Sequence, residues 1–248
     1  MENSSRPSLL GLGLSIAVGL IASSAIVSYT LDRMASNKQS ITVKGLAEKS
    51  VRADQARWRI VVHGHAPVLA DAFAALRANQ PKLRSFFVEQ GFKPEQVTPG
   101  RETYQPVHKV DQDGRELREI ESYTASQELL LTSSDVAAVD KAAGRIVSLE
   151  ESGVPISVQN PEYLVSGLEQ VKMSLIASAT RNARERASEF AKTGDAQVGA
   201  MKSANQGAFY ILPAQGGGSD DEYGGAYDKT TIDKLARVVV TVEYGISQ

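Results

Sequence analysis

The chain has 248 residues, and its 27 lysine and arginine residues against 29 aspartate and glutamate residues give a formal net charge of −2. It contains no cysteine, which excludes disulfides, thiolate zinc sites and cysteine nucleophiles but leaves reducing and oxidising compartments equally open. Because the charge is so nearly balanced, there is no broad electrostatic reason to expect a nucleic-acid partner.

The N-terminus carries the strongest single signal, since residues 8–31 form a stretch of 24 residues without a charged side chain. A helix of that length, rising about 1.5 Å per residue, would span the roughly 30 Å hydrocarbon core of a bilayer. We therefore predict a short N-terminal tail and one transmembrane helix within residues 1–31, and the tail is cytoplasmic if the orientation is the one that the family resemblance described below implies. The alternative is a cleaved signal peptide with small residues at Ser23, Ser24 and Ala25, but the apolar run is longer than the usual h-region of about 7–15 residues.

The charges that flank this stretch do not fix its orientation. Only Arg6 precedes it, whereas Arg33, Lys38, Lys44 and Lys49 follow, so a simple positive-inside count would place the large domain in the cytoplasm. That rule weakens for long translocated domains, which leaves the orientation open on charge alone.

Small residues recur at every fourth position inside the predicted span, at Gly11, Ser15, Gly19 and Ser23. Such a stripe lets a second helix approach closely and predicts a self-association seam. The alternative is coincidence, because 11 of the 24 residues are Gly, Ala or Ser.

The soluble part begins after a polar tether at 32–40. Alternating apolar residues predict strands at 41–44 and 56–62, which we expect to pair as a hairpin or to continue as one bent strand. A helical period follows over 67–91, in which Pro81 should cause a kink or break and Gly91 should end the helix.

Further along, Asp113-Gly114 predicts a long hairpin between strands at 101–110 and 115–132. We predict a helix over 134–149 capped by Ser133 or Ser134, a short strand at 156–158, and a long helix over 166–193 ended by Gly194. Strands at 197–212 and 235–244 close the chain. The predicted fold class is α+β, with antiparallel sheets packed with three helices in one domain over 41–248.

Between the last two strands lies a Gly-rich acidic stretch at about 213–231, which is too polar to bury and is predicted to be a mobile loop. Its Tyr223 and Tyr227 are candidate contacts to a protein partner or a neighbouring subunit.

Two histidines are the only candidate for chemistry. His63 and His65 would point the same way from a strand and could reach one metal ion, yet no third ligand is evident and His108 cannot be placed. The Asp111–Gly114 segment resembles the start of a calcium loop but has Ser122 where a glutamate is required. We find no nucleophile elbow, and we predict no catalytic residue, no metal, no cofactor and no enzymatic activity.

Several motifs in one order resemble the SIMPL domain family, which is bacterial and periplasmic or membrane-anchored and has a eukaryotic member that interacts with a Pelle-like kinase. The motifs are Ile41-Thr42-Val43-Lys44-Gly45, Asp54 followed by Ala56, Tyr123-x-Ala125-Ser126, and Ala187-x-x-Phe190-Ala191-x-x-Gly194 leading into Val198-Gly199, with a closing valine strand. Two departures, Ala53 and Asp233-Lys234 where family members often have proline and Pro-Gly, concern local turns.

The resemblance implies a SIMPL-like fold, an extracytoplasmic domain on a single span of the inner membrane, and homo-oligomers that are ring-like in some members. It implies no agreed activity. We therefore expect a non-enzymatic, membrane-anchored module that oligomerises or binds, in envelope or oxidative-stress maintenance. The alternatives are a metal-dependent enzyme using His63 and His65, and a membrane-bound signalling adaptor that binds its partner through the Gly-rich loop.

Overall fold

The computed structural model describes residues 16–21, 23–28, 39–215 and 226–247. From residue 39 onward the described chain is an α+β protein with eight strands and four α-helices. The strands are β1 (Ser40–Arg52), β2 (Gln55–Ala66), β3 (Val97–Val110), β4 (Glu116–Ser133), β5 (Ile156–Val158), β6 (Glu162–Leu164), β7 (Gln197–Pro213) and β8 (Asp233–Ser247). The helices are α1 (Leu69–Glu89), α2 (Val136–Ala143), α3 (Val147–Glu151) and α4 (Leu168–Thr193).

These elements form two compact units. Unit 1 takes the described residues of Met1–Ala47, Met173–Ala208 and Val238–Gln248, and unit 2 takes those of Glu48–Lys172 and Phe209–Arg237. A three-stranded sheet has the order β1-β8-β7, and a five-stranded sheet has the order β3-β4-β2-β5 with β6 also paired to β2. The pairs β2–β4, β2–β5, β2–β6 and β3–β4 are all antiparallel.

The core of unit 2 lies between one face of its sheet and the helices α1 and α2. Alternate β2 residues Ala56, Trp58, Ile60 and Val62 have no exposed surface, as the period of two in the sequence predicts. The helix α1 contributes residues at helical spacing, namely Ala72, Leu76, Leu83, Phe86 and Phe87. The Trp58 and Phe87 rings meet edge to face with centroids 6.0 Å apart, which is the favoured geometry for buried aromatic pairs.

Both predicted turn signals in unit 2 are confirmed. Gly91 follows α1 with φ of 92°, and hydrogen bonds from Gly91 N–H to Val88 O and from Phe92 N–H to Phe87 O complete a Schellman ending. Gly114 has φ of 79° in the β3–β4 hairpin, where its N–H donates to Asp111 O at 3.1 Å. Only glycine enters this left-handed region without a steric cost, which explains why these turns could be located from the sequence.

In unit 1, alternate β8 residues from Val238 to Tyr244 are buried, and α4 buries a row of alanines at four-residue spacing. The strand β1 contacts this row through Gly45. A Cβ on Gly45 would lie 2.0 Å from Ala179 O and 2.7 Å from Ala183 N, so only glycine allows this backbone-to-backbone approach. Gly45, Ala179 and Ala183 therefore serve one purpose, the close packing of a helix on a strand.

A buried ion pair holds the segment just before β8 in unit 2. The Lys234 side chain is 0% exposed and that of Asp228 is 8% exposed, and their charged groups lie 3.1 Å apart. Lys234 Nζ also donates to Asp228 O at 2.7 Å, and the Asp228 carboxylate accepts from the backbone N–H of Thr230 at 2.8 Å. Residues 226–231, which we placed in the predicted mobile loop, thus make specific contacts, whereas residues 216–225 lie outside the described chain.

Three local predictions are wrong. The first two strands do not pair with each other, because β1 joins β8 and β2 joins β4, β5 and β6. The helix expected over 134–149 is two helices, α2 and α3, and the carboxylate of Asp135 caps the first by accepting from Ala138 N–H at 2.9 Å. The helix count over the described residues after 39 is therefore four, where we predicted three. Pro81 lies inside α1 without ending it.

The N-terminal predictions fall largely beyond the described residues. Residues 16–21 and 23–28 are helical and exposed, and the rest of the predicted span lies outside the described chain. Within the described residues, no helix is long and apolar enough to cross a bilayer.

Candidate functional site

The most chemically capable side chains of unit 2 lie on the sheet face opposite its core. His63 on β2 lies between two hydroxyls, with Nδ1 2.8 Å from Ser126 Oγ and Nε2 2.9 Å from Ser157 Oγ. The β2–β4 register places Ser126 directly opposite His63, and the β2–β5 register brings Ser157 alongside. Burial lowers the pKa of His63, so the neutral ring is favoured at this position.

Within the described residues, both ring nitrogens of His63 contact serine hydroxyls and neither contacts a carboxylate. Nucleophilic catalysis by a serine needs a base that a third group orients, together with a set of oxyanion donors. The His63 backbone is fixed by bonds to Pro155 and Asn79. The arrangement links three strands across the sheet.

The two histidines of the metal-dependent alternative, His63 and His65, are close in sequence but contact different partners. His65 Nδ1 lies 3.2 Å from Thr124 Oγ1, while both His63 nitrogens contact serines. His108 is half-buried on β3, and its Nδ1 has no hydrogen-bond partner within the described residues. No group of three or more potential metal ligands is found in the described chain.

The residues of the predicted self-association seam are only partly described. Gly11 and Ser15 lie outside the described chain. Gly19 and Ser23 are on consecutive turns of exposed helix, and Ser23 Oγ donates to Gly19 O at 2.9 Å. The seam stays a prediction.

Of the two tyrosines in the predicted partner loop, one is among the described residues and the other is not. Tyr223 lies outside the described residues, whereas Tyr227 is half-buried in unit 2. The Tyr227 hydroxyl accepts a hydrogen bond from Val165 N–H at 2.9 Å, and its backbone forms a bridge with Ile211. A role for either tyrosine in partner binding stays a prediction.

Unit 1 contains an open groove that the sequence did not indicate. It has a volume of about 620 Å³ and lies between β1 and the C-terminal half of α4. Phe190 is 64% exposed beside it, an unusual position for a large aromatic side chain. The lining residues are Thr42, Val43, Lys44, Glu185, Arg186, Glu189, Phe190 and Thr193. An apolar floor with charges of both signs at its rim is typical of a protein-binding surface.

A second exposed apolar surface lies on the distal half of the β3–β4 hairpin. The β2 strand pairs with β4 only from Tyr123 to Ser133, so residues 116–122 of β4 pair with β3 alone. Large apolar side chains are exposed along this ribbon, namely Val107, Val110, Leu117 and Ile120. A two-stranded ribbon is only marginally stable by itself, and contact with a partner would stabilise it.

Asp54, one of the residues that carry the family resemblance, has a structural position. Its carboxylate accepts hydrogen bonds from the N–H of Ser166 at 2.7 Å and from the Ser166 hydroxyl. The hydroxyl bond is the main reason that the pKa of Asp54 is lowered. Asp54 thus fixes the turn that leads into α4.

The described residues define an α+β protein with an open groove in unit 1 and an exposed apolar ribbon in unit 2. The chain belongs to the SIMPL family, described as a protein of unknown function (DUF541), whose sequence profile matches residues 41–244. The family resemblance that we inferred from the motifs is confirmed. Comparison with curated protein sequences gives no significant match.

Among solved structures, the chain is similar to an uncharacterized conserved protein from Listeria innocua, known from its crystal structure. The two sequences are 10% identical, and the alignment covers 78% of this chain and 91% of that chain with a TM-score of 0.15. So low a score supports no conclusion about the fold.

Proposed function

We propose that this chain is a membrane-anchored, extracytoplasmic binding module that assembles with copies of itself and carries out no chemistry of its own. Residues 8–31 supply the anchor, since they include no charged side chain over a length that spans a bilayer. The module acts in maintenance of the cell envelope, including maintenance under oxidative stress.

The observation that carries the binding role is the unit 1 groove. Phe190 is 64% exposed there, whereas the alanines on the same half of α4, Ala183, Ala187 and Ala191, are buried, so Phe190 adds little to the fold of unit 1. Glu185, Glu189 and Arg186 border it and would exclude a purely apolar ligand such as a lipid chain. A protein surface supplies the matching mixture of apolar and charged groups.

A topology and assembly measurement tests this proposal. Because the natural chain has no cysteine, a single Asp113→Cys at the exposed β3–β4 turn reports one side of the membrane, and Asn3→Cys reports the other. We expect a membrane-impermeant maleimide to label the first but not the second in intact cells with a permeable outer membrane. The full-length protein should resist carbonate extraction and show a discrete oligomer by light scattering in mild detergent.

A carbonate-soluble monomer would overturn the proposal. Labelling of Asn3→Cys but not Asp113→Cys in intact cells would instead retain the anchor and reverse the orientation. Metal analysis of the purified full-length protein tests the enzyme alternative. That alternative requires a bound metal ion, which should be lost in His63→Ala. Deletion of residues 216–225 tests the adaptor alternative, which requires the Gly-rich loop for partner binding. The deletion leaves the contacts of Tyr227 and Asp228 in place.

A further inference from the structure

Most strands at the sheet margins of the described chain are protected against pairing with another strand. The margin of β1 is covered by side chains of α4, since Asn182 Oδ1 accepts from Leu46 N–H at 3.2 Å and Arg186 Nη1 donates to Lys44 O at 3.2 Å. These two backbone groups lie two residues apart and therefore on the same edge of the strand. An incoming strand would have to displace both side chains.

The margins of the five-stranded sheet are protected in other ways. The β3 strand contains Pro99 and Pro106 and has register shifts between Pro99 and Glu102 and on both sides of His108. Proline removes a donor and bulges twist the edge, so both hinder continuous pairing. The strands β5 and β6 have only three residues each.

The unit 1 part of β7 contains no proline and spans residues 197–208, so it is much longer than β5 or β6. It is the last strand in the order β1-β8-β7, and each residue from 200 to 207 is exposed. This stretch, AMKSANQG, has one charged side chain and no proline. Further along, the backbone of Ile211 exchanges hydrogen bonds with Ala226 and Asp228, so the open edge ends before that residue. A long, flat and nearly uncharged edge is a template for another strand.

We propose that residues 198–208 of β7 pair antiparallel with the same residues of a second copy, joining two three-stranded sheets into one of six strands. The inference rests on the proposed self-association and names the surface that mediates it. Two identical strands related by a two-fold axis form an isologous contact, in which each supplies what the other needs. A different partner protein would need an equally open strand edge, whereas every copy of this chain carries the same edge.

The sequence of the stretch favours one register. With Ser203 opposite its own copy, residues 198–208 pair in full, and Lys202 lies opposite Ala204. A shift by one position toward the N-terminus would put Lys202 opposite itself, and like charges in directly opposed positions are destabilising. Charge thus excludes Lys202 as the centre, and centring on Ser203 is the choice that pairs the whole of residues 198–208.

Cysteine cross-linking of the full-length protein in detergent tests this register. The Cβ atoms of directly opposed residues lie about 4.5–5.5 Å apart, within the reach of a disulfide after small shifts. We therefore expect Ser203→Cys to form a covalent dimer under mild oxidation. Asn205→Cys is the matched control on the same strand, because its two copies would be about 13 Å apart and should stay uncross-linked.

A mixture of Met201→Cys and Asn205→Cys proteins gives a second readout, since the register places residue 201 opposite residue 205 of the other copy. We expect the mixed sample to form heterodimers and each protein alone to form none. Ser203→Asp opposes two carboxylates across the contact and also places one beside Glu243 of its own chain, to which Ser203 Oγ donates at 3.2 Å. It should weaken association at least about tenfold, whereas the neutral Ser203→Asn should not, and circular dichroism of both variants checks that the subunit fold is kept.

The outcomes separate this inference from the proposed function. An oligomer in which Ser203→Cys does not cross-link, and which Ser203→Asp leaves intact, overturns the β7 contact and leaves self-association standing on another surface. A full-length chain that is monomeric before any substitution overturns both.

Discussion

Lys234 shows how a single residue can hold a segment that is otherwise too polar to fold. Its side chain is 0% exposed, and its ammonium group is paired with Asp228 at 3.1 Å. We expect Lys234→Met or Asp228→Asn to lower the free energy of unfolding by about 3 kcal/mol, because each leaves an unpaired buried group. Urea denaturation followed by circular dichroism measures the loss.

An exposed ion pair in the same region is the matched control. Lys229 and Glu162 are 3.2 Å apart with about half of each side chain exposed, at 52% and 47%. Glu162→Gln should therefore change the free energy of unfolding by less than about 1 kcal/mol. If Asp228→Asn and Glu162→Gln lowered the free energy of unfolding equally, the structural role assigned to Asp228 would be contradicted.

The same carboxylate should make stability depend on pH. Burial pushes the pKa of Asp228 upward, but hydrogen bonds from Thr231, Thr230 and Lys234 outweigh it and leave the pKa below its ordinary value of 3.8. The unfolded chain then takes up a proton at a higher pH than the folded chain. The contribution is full above about pH 4 and falls below that by up to about 1.4 kcal/mol per pH unit. In Asp228→Asn this part of the acid dependence should be lost.

At the scale of elements, α4 ends at Thr193 and Gly194 follows it, as predicted. The left-handed residue of this ending is nevertheless Asp195, with φ of 51°. Hydrogen bonds from Asp195 N–H to Lys192 O and from Ala196 N–H to Ala191 O form a Schellman ending around it. An acidic residue also interacts unfavourably with the negative end of the helix dipole.

We therefore expect Asp195→Gly to stabilise the protein by about 0.5–1 kcal/mol, raising the melting temperature by about 2–4 °C. Asp195→Asn should give a smaller gain, since it removes the charge and keeps a residue that tolerates this backbone. Asp195→Ala should give no gain. Differential scanning calorimetry distinguishes the three, and a lower melting temperature for Asp195→Gly would contradict the role assigned to its backbone.

Elements that are determined by residues close together in the chain could be predicted from the sequence. The β3–β4 hairpin, β5 and the endings at Gly91 and Gly114 follow from turn residues and short periods. The pairing of β1 with β8 could not be read, because alternation shows that a residue faces a core but not which strand lies beside it. The unit 1 groove was missed for the same reason, since its two sides are about 140 residues apart in the chain.

At the scale of the whole molecule, the order of the segments predicts which part depends on the C-terminus. The central strand of the three-stranded sheet is β8, and its residues in unit 1 begin at Val238. A chain that stops after Arg237 should lose unit 1, because β1 and β7 would no longer share a neighbour. Its five-stranded sheet should remain, since every strand of that sheet precedes residue 165.

Hydrogen exchange followed by mass spectrometry checks this expectation. In the shortened chain, amides of residues 173–193 should exchange rapidly, while those of residues 58–62 and 125–131 stay protected. A chain that stops after Ile246 is the control and should exchange like the complete protein. Retained protection in residues 173–193 after the longer truncation would show that α4 does not depend on β8.

The pairing of β1 with β8 also determines when each unit can fold during synthesis. About 190 residues separate Ala47 from Val238. At translation rates of about 5–20 residues per second, β1 waits roughly 10–40 s for its neighbour to be made. During that interval the strands of the five-stranded sheet are all available, so unit 2 can fold early and unit 1 only at the end. Unit 1 therefore becomes native only after β8 has been made, and β7 acquires its neighbour in the three-stranded sheet only then.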